Sequence, residues 1–200
     1  MPPHSEPCIL ETLSRFGIFY SLFFPTMRKT LRRQRPIMPS EPASATQLQS
    51  AIDLWRESFS GVLSTQSKGE PGFPFGSVVP FCLDREGNPL LLLSHLAEHT
   101  KNLDEVSACC LTVMEQGSGD VQKLARLSCL ARAAQIETPA PSLVERYFRD
   151  FPDTRPYFET LNFRFYRLQP VRFYFIGGFG AARWFDKSRL LSHLHPETRL

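Results

Sequence analysis

Cysteine is scarce in this chain: there are five among 200 residues, an odd number with no Cys-x-x-Cys pair. That excludes a disulfide framework and a zinc ribbon, and it reads as reduced, buried thiol in a cytoplasmic protein. Long apolar runs are missing too. Phe16–Phe24 is apolar for only nine residues, whereas a membrane-crossing helix needs about 20. Its charges follow the apolar run instead of preceding it, so it does not read as a signal peptide either. The body also lacks a surplus of positive charge. Residues 1–37 hold six Lys/Arg against two acids, which leaves 17 basic and 18 acidic residues for the rest. A nearly neutral body excludes the basic face of a nucleic-acid-binding domain. There is no internal repeat, no Gly-x-Gly-x-x-Gly and no alternation of strand and helix, so a dinucleotide-binding fold is not expected. The late Gly177-Gly178-x-Gly180 reads as a bend or bulge. Cys82 and His99 stand at no diagnostic spacing, so neither a nucleophilic pair nor a metal site is expected.

What the chain does have is phenylalanine, 17 residues of it, and a series of short strand patterns. Residues 1–43 read as a poorly ordered extension. In it "RPIMPSEPASAT" restarts the chain like an ordinary N-terminus, and residues 1–37 are expected to be dispensable. The body runs over 44–190, and 191–200 form a tail in which His193 and His195 read as solvated. Within the body, Ala51, Ile52, Trp55, Phe59, Val62 and Leu63 keep helical spacing and predict a helix over Thr46–Thr65. "SVVPFCL", "DREGNP" and "LLLLS" read as strand, turn and strand, an antiparallel hairpin. "LAEHTKNLDE" reads as a short helix and "VSACCLTVM" as a strand with Cys109 and Cys110 on opposite faces. "VQKLARLSCLARAAQI" reads as a long strand with Leu124, Arg126, Ser128 and Leu130 on one face. "PSLVERYFRDFPDTRPYF" is helical, broken at Pro152 and Pro156. "NFRFYRLQPVRFYFIGGFGAARWF" closes the body with two or three strands. Many antiparallel strands on short turns predict a mainly β fold, a closed or nearly closed barrel with flanking helices.

The hairpin delivers the chain from Ser94 into His95, His99, Thr100, Lys101 and Asn102. A helix N-terminus after a strand offers free backbone N–H groups, and these side chains add donors beside it, a combination suited to phosphate. Lys101 and Asn102 also read as a solvated helix face, and Ser77 as a turn hydroxyl.

"GFPFGSVVPFCLDREGNPLLLLSHLAEHTKNL", "RLSCLARA", "YFRDFPDTRPYF" and "NFRFYRLQPVRFYFIGGFGAARW" together resemble the FMN-binding split-barrel superfamily, the fold of pyridoxamine 5′-phosphate oxidase. The similarity covers residues 46–188 and lies nearest the haem-utilisation and putative oxidase branch. The resemblance implies a homodimer of six-stranded antiparallel split barrels with FMN between the subunits. Gly76, Ser77, Val78 and Val79 would line the isoalloxazine, and Ser94 would approach the ribityl chain. His99, Lys101 and Asn102 would hold the phosphate, and Arg126, Arg183 and Trp184 would fall near flavin or substrate. The oxidase proper has Arg-Lys where this chain reads His-Thr-Lys-Asn, and "AARWFD" departs from its Arg-x-His substrate motif, which argues against vitamin B6 oxidation. The functions implied are a flavin-dependent oxidoreductase with an unidentified small-molecule substrate, a haem-binding protein on the same barrel, or a non-catalytic dimer. No catalytic acid or base is identifiable.

Overall fold

The computed structural model describes residues 45–178 and 182–194. The readings made for residues 1–43, Gly180 and His195 lie outside them.

Helix α1 (Ala45–Glu57) buries Ala51, Ile52 and Trp55. Trp55 is its anchor: the indole meets Phe173 edge-on at 5.3 Å and its Nε1 donates to the Gly87 carbonyl at 3.2 Å. The helix was expected to run to Thr65 but stops at Glu57, and Ser60–Gln66 is strand β1. Two local features explain the break. The Ser58 hydroxyl donates to the Leu54 carbonyl and ends the last turn. Gly61 then packs so close to the neighbouring strand that a Cβ would lie 2.8 Å from the Thr112 carbonyl.

The remaining strands are β2 (Pro74–Pro80), β3 (Cys82–Leu83), β4 (Pro89–Ser94), β5 (Ala108–Met114), β6 (Arg126–Gln135), β7 (Phe163–Ile176) and β8 (Ala182–Asp186). They form one antiparallel sheet of eight strands, ordered β2-β1-β5-β6-β7-β4-β3 with β8 also on β7. The count exceeds the six expected because β1 was read as helix and Phe81 divides one expected strand in two. That division also corrects the expected hairpin. Only Cys82 and Leu83 pair with β4, while β2 pairs with β1. Phe81 therefore joins the two ends of the sheet path, and the sheet curls back on itself. β7 pairs with β6 along its length, but its other side is shared: Phe163–Arg167 meets β4 and Arg172–Ile176 meets β8. Pro170 and the irregularity opposite Leu130–Ala131 fall between the two halves, where a missing N–H and an extra residue bend the strand.

Inside the curl lies the main core, which includes Leu63, Phe81, Leu91, Leu111, Phe173 and Phe185. A smaller cluster of Leu90, Leu92, Tyr147, Phe148 and Phe165 packs under α3 (Pro141–Asp150), with α4 (Arg155–Thr160) beside it. Helix α2 (Glu98–Glu105) follows β4 directly, and α5 (Lys187–Leu191) follows β8. Cys109, Cys110 and Cys129 form no disulfide. Cys109 points inward, and burial, then the neighbouring Cys110, push its thiol up to about 12. Cys110 is half-buried on the other face.

Candidate functional site

β2 ends the sheet path, so its far edge carries no ladder partner among the described residues. α2 closes over the inner side of that edge. The helix is held by Asn102, which is fully buried. Its Oδ1 accepts from the Lys68 amide at 2.8 Å and its Nδ2 donates to the Thr65 hydroxyl at 3.0 Å. Thr65 in turn donates to the Phe75 carbonyl at 3.4 Å. A second tie is the Tyr166 hydroxyl, which donates to Asp104 at 3.0 Å. Burial, then the bond to Asp104, raise that phenol to about 12, so it stays a donor at neutral pH.

These ties fix the first turn of α2 against β2. Ser77 Oγ and His99 Nδ1 lie 3.0 Å apart. Desolvation by burial lowers the His99 pKa from its ordinary 6.5, which favours neutral imidazole. His99 is half-buried, and its Nε2 makes no hydrogen bond among the described residues. Thr100 is 1% exposed and its hydroxyl has no partner. At the helix start, Glu98 and His99 have no intrahelical acceptor for their backbone N–H groups. Lys101 is exposed and paired with Glu98 at 3.4 Å. Ser94 Oγ accepts from the Leu96 amide and shapes the turn into the helix. His95 stands in that turn, outside α2, with a buried, unpartnered Nδ1. Among the described residues no three His, Cys, Asp or Glu side chains form a group able to hold a metal ion.

The outer face of the sheet carries the rest. Paired residues Val78, Val62, Thr112, Ser128, Tyr174 and Trp184 form one row across six strands. The next row is Gly76, Ser64, Cys110, Leu130, Arg172 and Asp186. Uncharged side chains dominate this wall until β7. Val78 is 75% exposed and Trp184 40%. Trp184 stacks on Tyr174 at 4.7 Å, and the Arg172 guanidinium lies 5.1 Å above its ring. Arg126 begins β6 on the same face, opposite Met114 and Ile176.

The sequence-predicted residues thus separate into two groups. Ser77, Ser94, His99, Lys101 and Asn102 gather around the first turn of α2. Arg126 on β6 lies three strand spacings from β2, or about 14 Å along the curled sheet, and Trp184 on β8 lies five, or about 24 Å. Gly76 and Val78 face the wall. Val79 points into the core at 2% exposure, so only its backbone could meet a ligand. Arg183 faces away from Trp184, and its Nε donates to Gln47 of α1 at 2.9 Å. Three surface clefts, of about 490, 240 and 380 Å³, border α1, α3 and α5, and none includes Ser77, His99 or Trp184. Sequence reading missed Thr65 and Arg172. The alternation of Arg and aromatic residues in "VRFYF" was the available signal for Arg172, while nothing local marks Thr65.

The CREG β-barrel family model matches residues 42–191. The non-canonical haem oxygenase HOZ, chloroplastic, of Arabidopsis thaliana is 45% identical over 56 residues, 28% of this chain and 17% of that protein. A haem-binding protein of Mycobacterium smegmatis has a similar structure, with a TM-score of 0.66 at 20% identity over 73% of this chain and 60% of that one. A Clostridium acetobutylicum protein of the pyridoxine phosphate oxidase family, related to general stress protein 26, gives 0.55 at 13% identity, covering 72% of this chain and 97% of that one. The chain therefore spans under two thirds of the first two, and the structural likenesses concern the fold alone.

Proposed function

This chain belongs to the CREG β-barrel family, within the FMN-binding split-barrel superfamily, and from that premise we propose that it is a haem-binding protein that works as a homodimer. The observation that carries the reading is the wall together with its edges. The outer wall is largely uncharged until it reaches Arg126 and Arg172, the latter paired with Asp186 at 3.5 Å, and the neutral imidazole of His99 stands on the inner side of the β2 edge. Haem is flat and apolar with two carboxylates, so stacking, guanidinium contacts and a nitrogen donor are what it requires. The residues present fit it. HOZ and the Mycobacterium smegmatis protein, both haem proteins by name, support the same choice.

A dimer is proposed because Ser77 and Trp184 stand on strands at opposite ends of the six-strand path β2-β1-β5-β6-β7-β8. A two-fold pairing of wall against wall brings one protomer's α2 edge to the other's Trp184 edge, because such an interface repeats each patch on both sides. Bound there, haem would supply its own redox chemistry, while the chain orients it and excludes water.

FMN is a second reading, favoured by the unpartnered Thr100 hydroxyl and the free N–H groups of the α2 first turn. There His99 and Lys101 would meet the phosphate, Gly76 to Val79 and Ser94 the ring and ribityl chain, and Arg126 and Trp184 the flavin or its small-molecule substrate, while Arg183, which faces α1, would not. Asn102 has no side-chain atom left to give. The chain would then be a flavin-dependent oxidoreductase. A cytoplasmic location fits its free thiols, and no described helix is long and apolar enough to cross a membrane.

The test is an absorbance titration of purified protein with haemin and, separately, FMN, each followed by gel filtration. A retained, sharp Soret band on a species of dimer size supports the proposal. Flavin bands retained without haemin binding replace it with the second reading. Retention of neither leaves a non-catalytic dimer.

A further inference from the structure

We propose that the cleft between the start of α3, the turn after β3 and the middle of β7 binds a phosphoryl group, held by the guanidinium groups of Arg146 and Arg167. The cleft holds about 240 Å³ and includes none of the residues discussed for haem or FMN. Arg85 of the turn, Arg146 of α3 and Arg167 of β7 all line it.

Two of these arginines are held at Nε alone. Arg146 Nε donates to the Leu83 carbonyl at 2.6 Å, and Arg167 Nε lies 2.9 Å from Asp84 Oδ2. Their Nη1 and Nη2 atoms make no hydrogen bond or ion pair among the described residues. Each guanidinium is therefore fixed at one edge and keeps its terminal N–H groups for a ligand. The carboxylates of the cleft are engaged elsewhere. Asp84 Oδ1 accepts from the Glu86 and Asn88 amides, and its Oδ2 accepts from Asn88 Nδ2. Glu86 is exposed and accepts from Asn88 Nδ2 at 3.2 Å. Three arginines against these two acids leave one positive charge, to which the positive end of α3 adds. In the first turn of that helix the Ser142 N–H has no intrahelical acceptor, and no side chain caps it.

A phosphoryl group presents three oxygens at tetrahedral angles. Two guanidinium groups, a hydroxyl and an amide supply charge-assisted donors for all of them, whereas a carboxylate, with two oxygens in one plane, leaves part of the set unmatched. Leu90 and Leu143 make part of the lining apolar, and the adjoining cleft of about 380 Å³ shares Glu86 and Arg167. The site thus has room for the small organic part of a phosphate monoester as well as for inorganic phosphate.

The experiment is isothermal titration calorimetry of the full-length chain with inorganic phosphate, glycerol 3-phosphate and acetate at fixed ionic strength, without haemin or FMN. Wild type is compared with Arg146→Gln, Arg167→Gln and Ser142→Asp, and far-UV circular dichroism checks the fold of each. Wild type is expected to bind phosphate saturably and roughly tenfold or more tighter than acetate, and each variant to weaken phosphate binding roughly tenfold or more. Ser142→Asp keeps the test decisive if an arginine variant fails to fold, because an acid in the first turn favours the helix while repelling the anion. Glycerol 3-phosphate bound more tightly than phosphate upholds the site and makes an organic phosphate its ligand; equal binding upholds it for inorganic phosphate. Phosphate binding that does not saturate by about 10 mM overturns the proposal. So does acetate bound as tightly as phosphate, or phosphate bound by folded Ser142→Asp and Arg167→Gln as well as by wild type.

Discussion

The two edges of the sheet, at β2 and at β8, are built on opposite principles. At the β2 end the groups are polar and pinned: Asn102 and Thr65 are buried and bonded, and they fix His99 against Ser77. At the β8 end the groups are aromatic and exposed, with Trp184 against Tyr174 and Arg172. A buried polar network fixes geometry but exposes little surface for binding. An exposed indole offers surface with little geometric constraint. Each end supplies what the other lacks, which is consistent with the proposed pairing of two copies.

The largest effect that breaks this comparison is expected from Asn102→Ala. It strands the Thr65 hydroxyl and the Lys68 amide, and should lower stability by about 2–3 kcal/mol in urea unfolding, with loss of ligand binding at both ends. Trp184→Ala should lower stability by only about 1 kcal/mol, yet shift sedimentation toward monomer at low concentration. A Trp184→Ala chain that stays fully dimeric would remove the β8 end from the interface.

The pH dependence is a finer test. The folded His99 pKa lies below its ordinary 6.5 because burial disfavours the charged ring. The native state therefore binds fewer protons than the unfolded chain just below that value. Stability rises with pH across the window and falls as acid carries the protein below about 6.5. His99→Asn should flatten the profile of urea midpoint against pH between 5 and 7, as His-driven titration requires. The smallest effect belongs to Lys101→Ala. Its partner Glu98 is a surface group, so stability should change by no more than ~0.5 kcal/mol. FMN affinity should fall relative to riboflavin only if the phosphate reading holds.

Much of the fold was legible because the alternating patterns of "SACCLTVM" and "RLSCLARA" specify strands, and the Phe/Arg alternation of β7 marks its two faces. The overrun of α1 has a physical origin. Val62 and Leu63 satisfy a period of 3.6 as readily as one of 2, and what decides between them is the close approach of Gly61 to Thr112. The long fourth strand begins at Arg126 instead of Val121 because Asp120 caps a short 3-10 turn through the Gln122 amide. Partner choice was not legible either. "SVVPFCL" reads as one strand, and no local property says that it changes neighbours at Phe81. In the site, the residue types at the α2 turn were readable, but the roles of Asn102 and Lys101 were not. Whether an amide faces a ligand or the Thr65 hydroxyl depends on a contact 37 residues away in sequence.

The junction at Phe81 has a kinetic meaning. The barrel closes there through the chain itself, with no ladder of hydrogen bonds between β2 and β4 among the described residues, so the far edge of β2 carries amides without a ladder partner. Those on the free edge of β2 should exchange with deuterium far faster than their neighbours bonded to β1. Any molecule that settles on that edge, whether a ligand or a second copy of the chain, must first slow that exchange, and so the edge reports its own occupancy without a label.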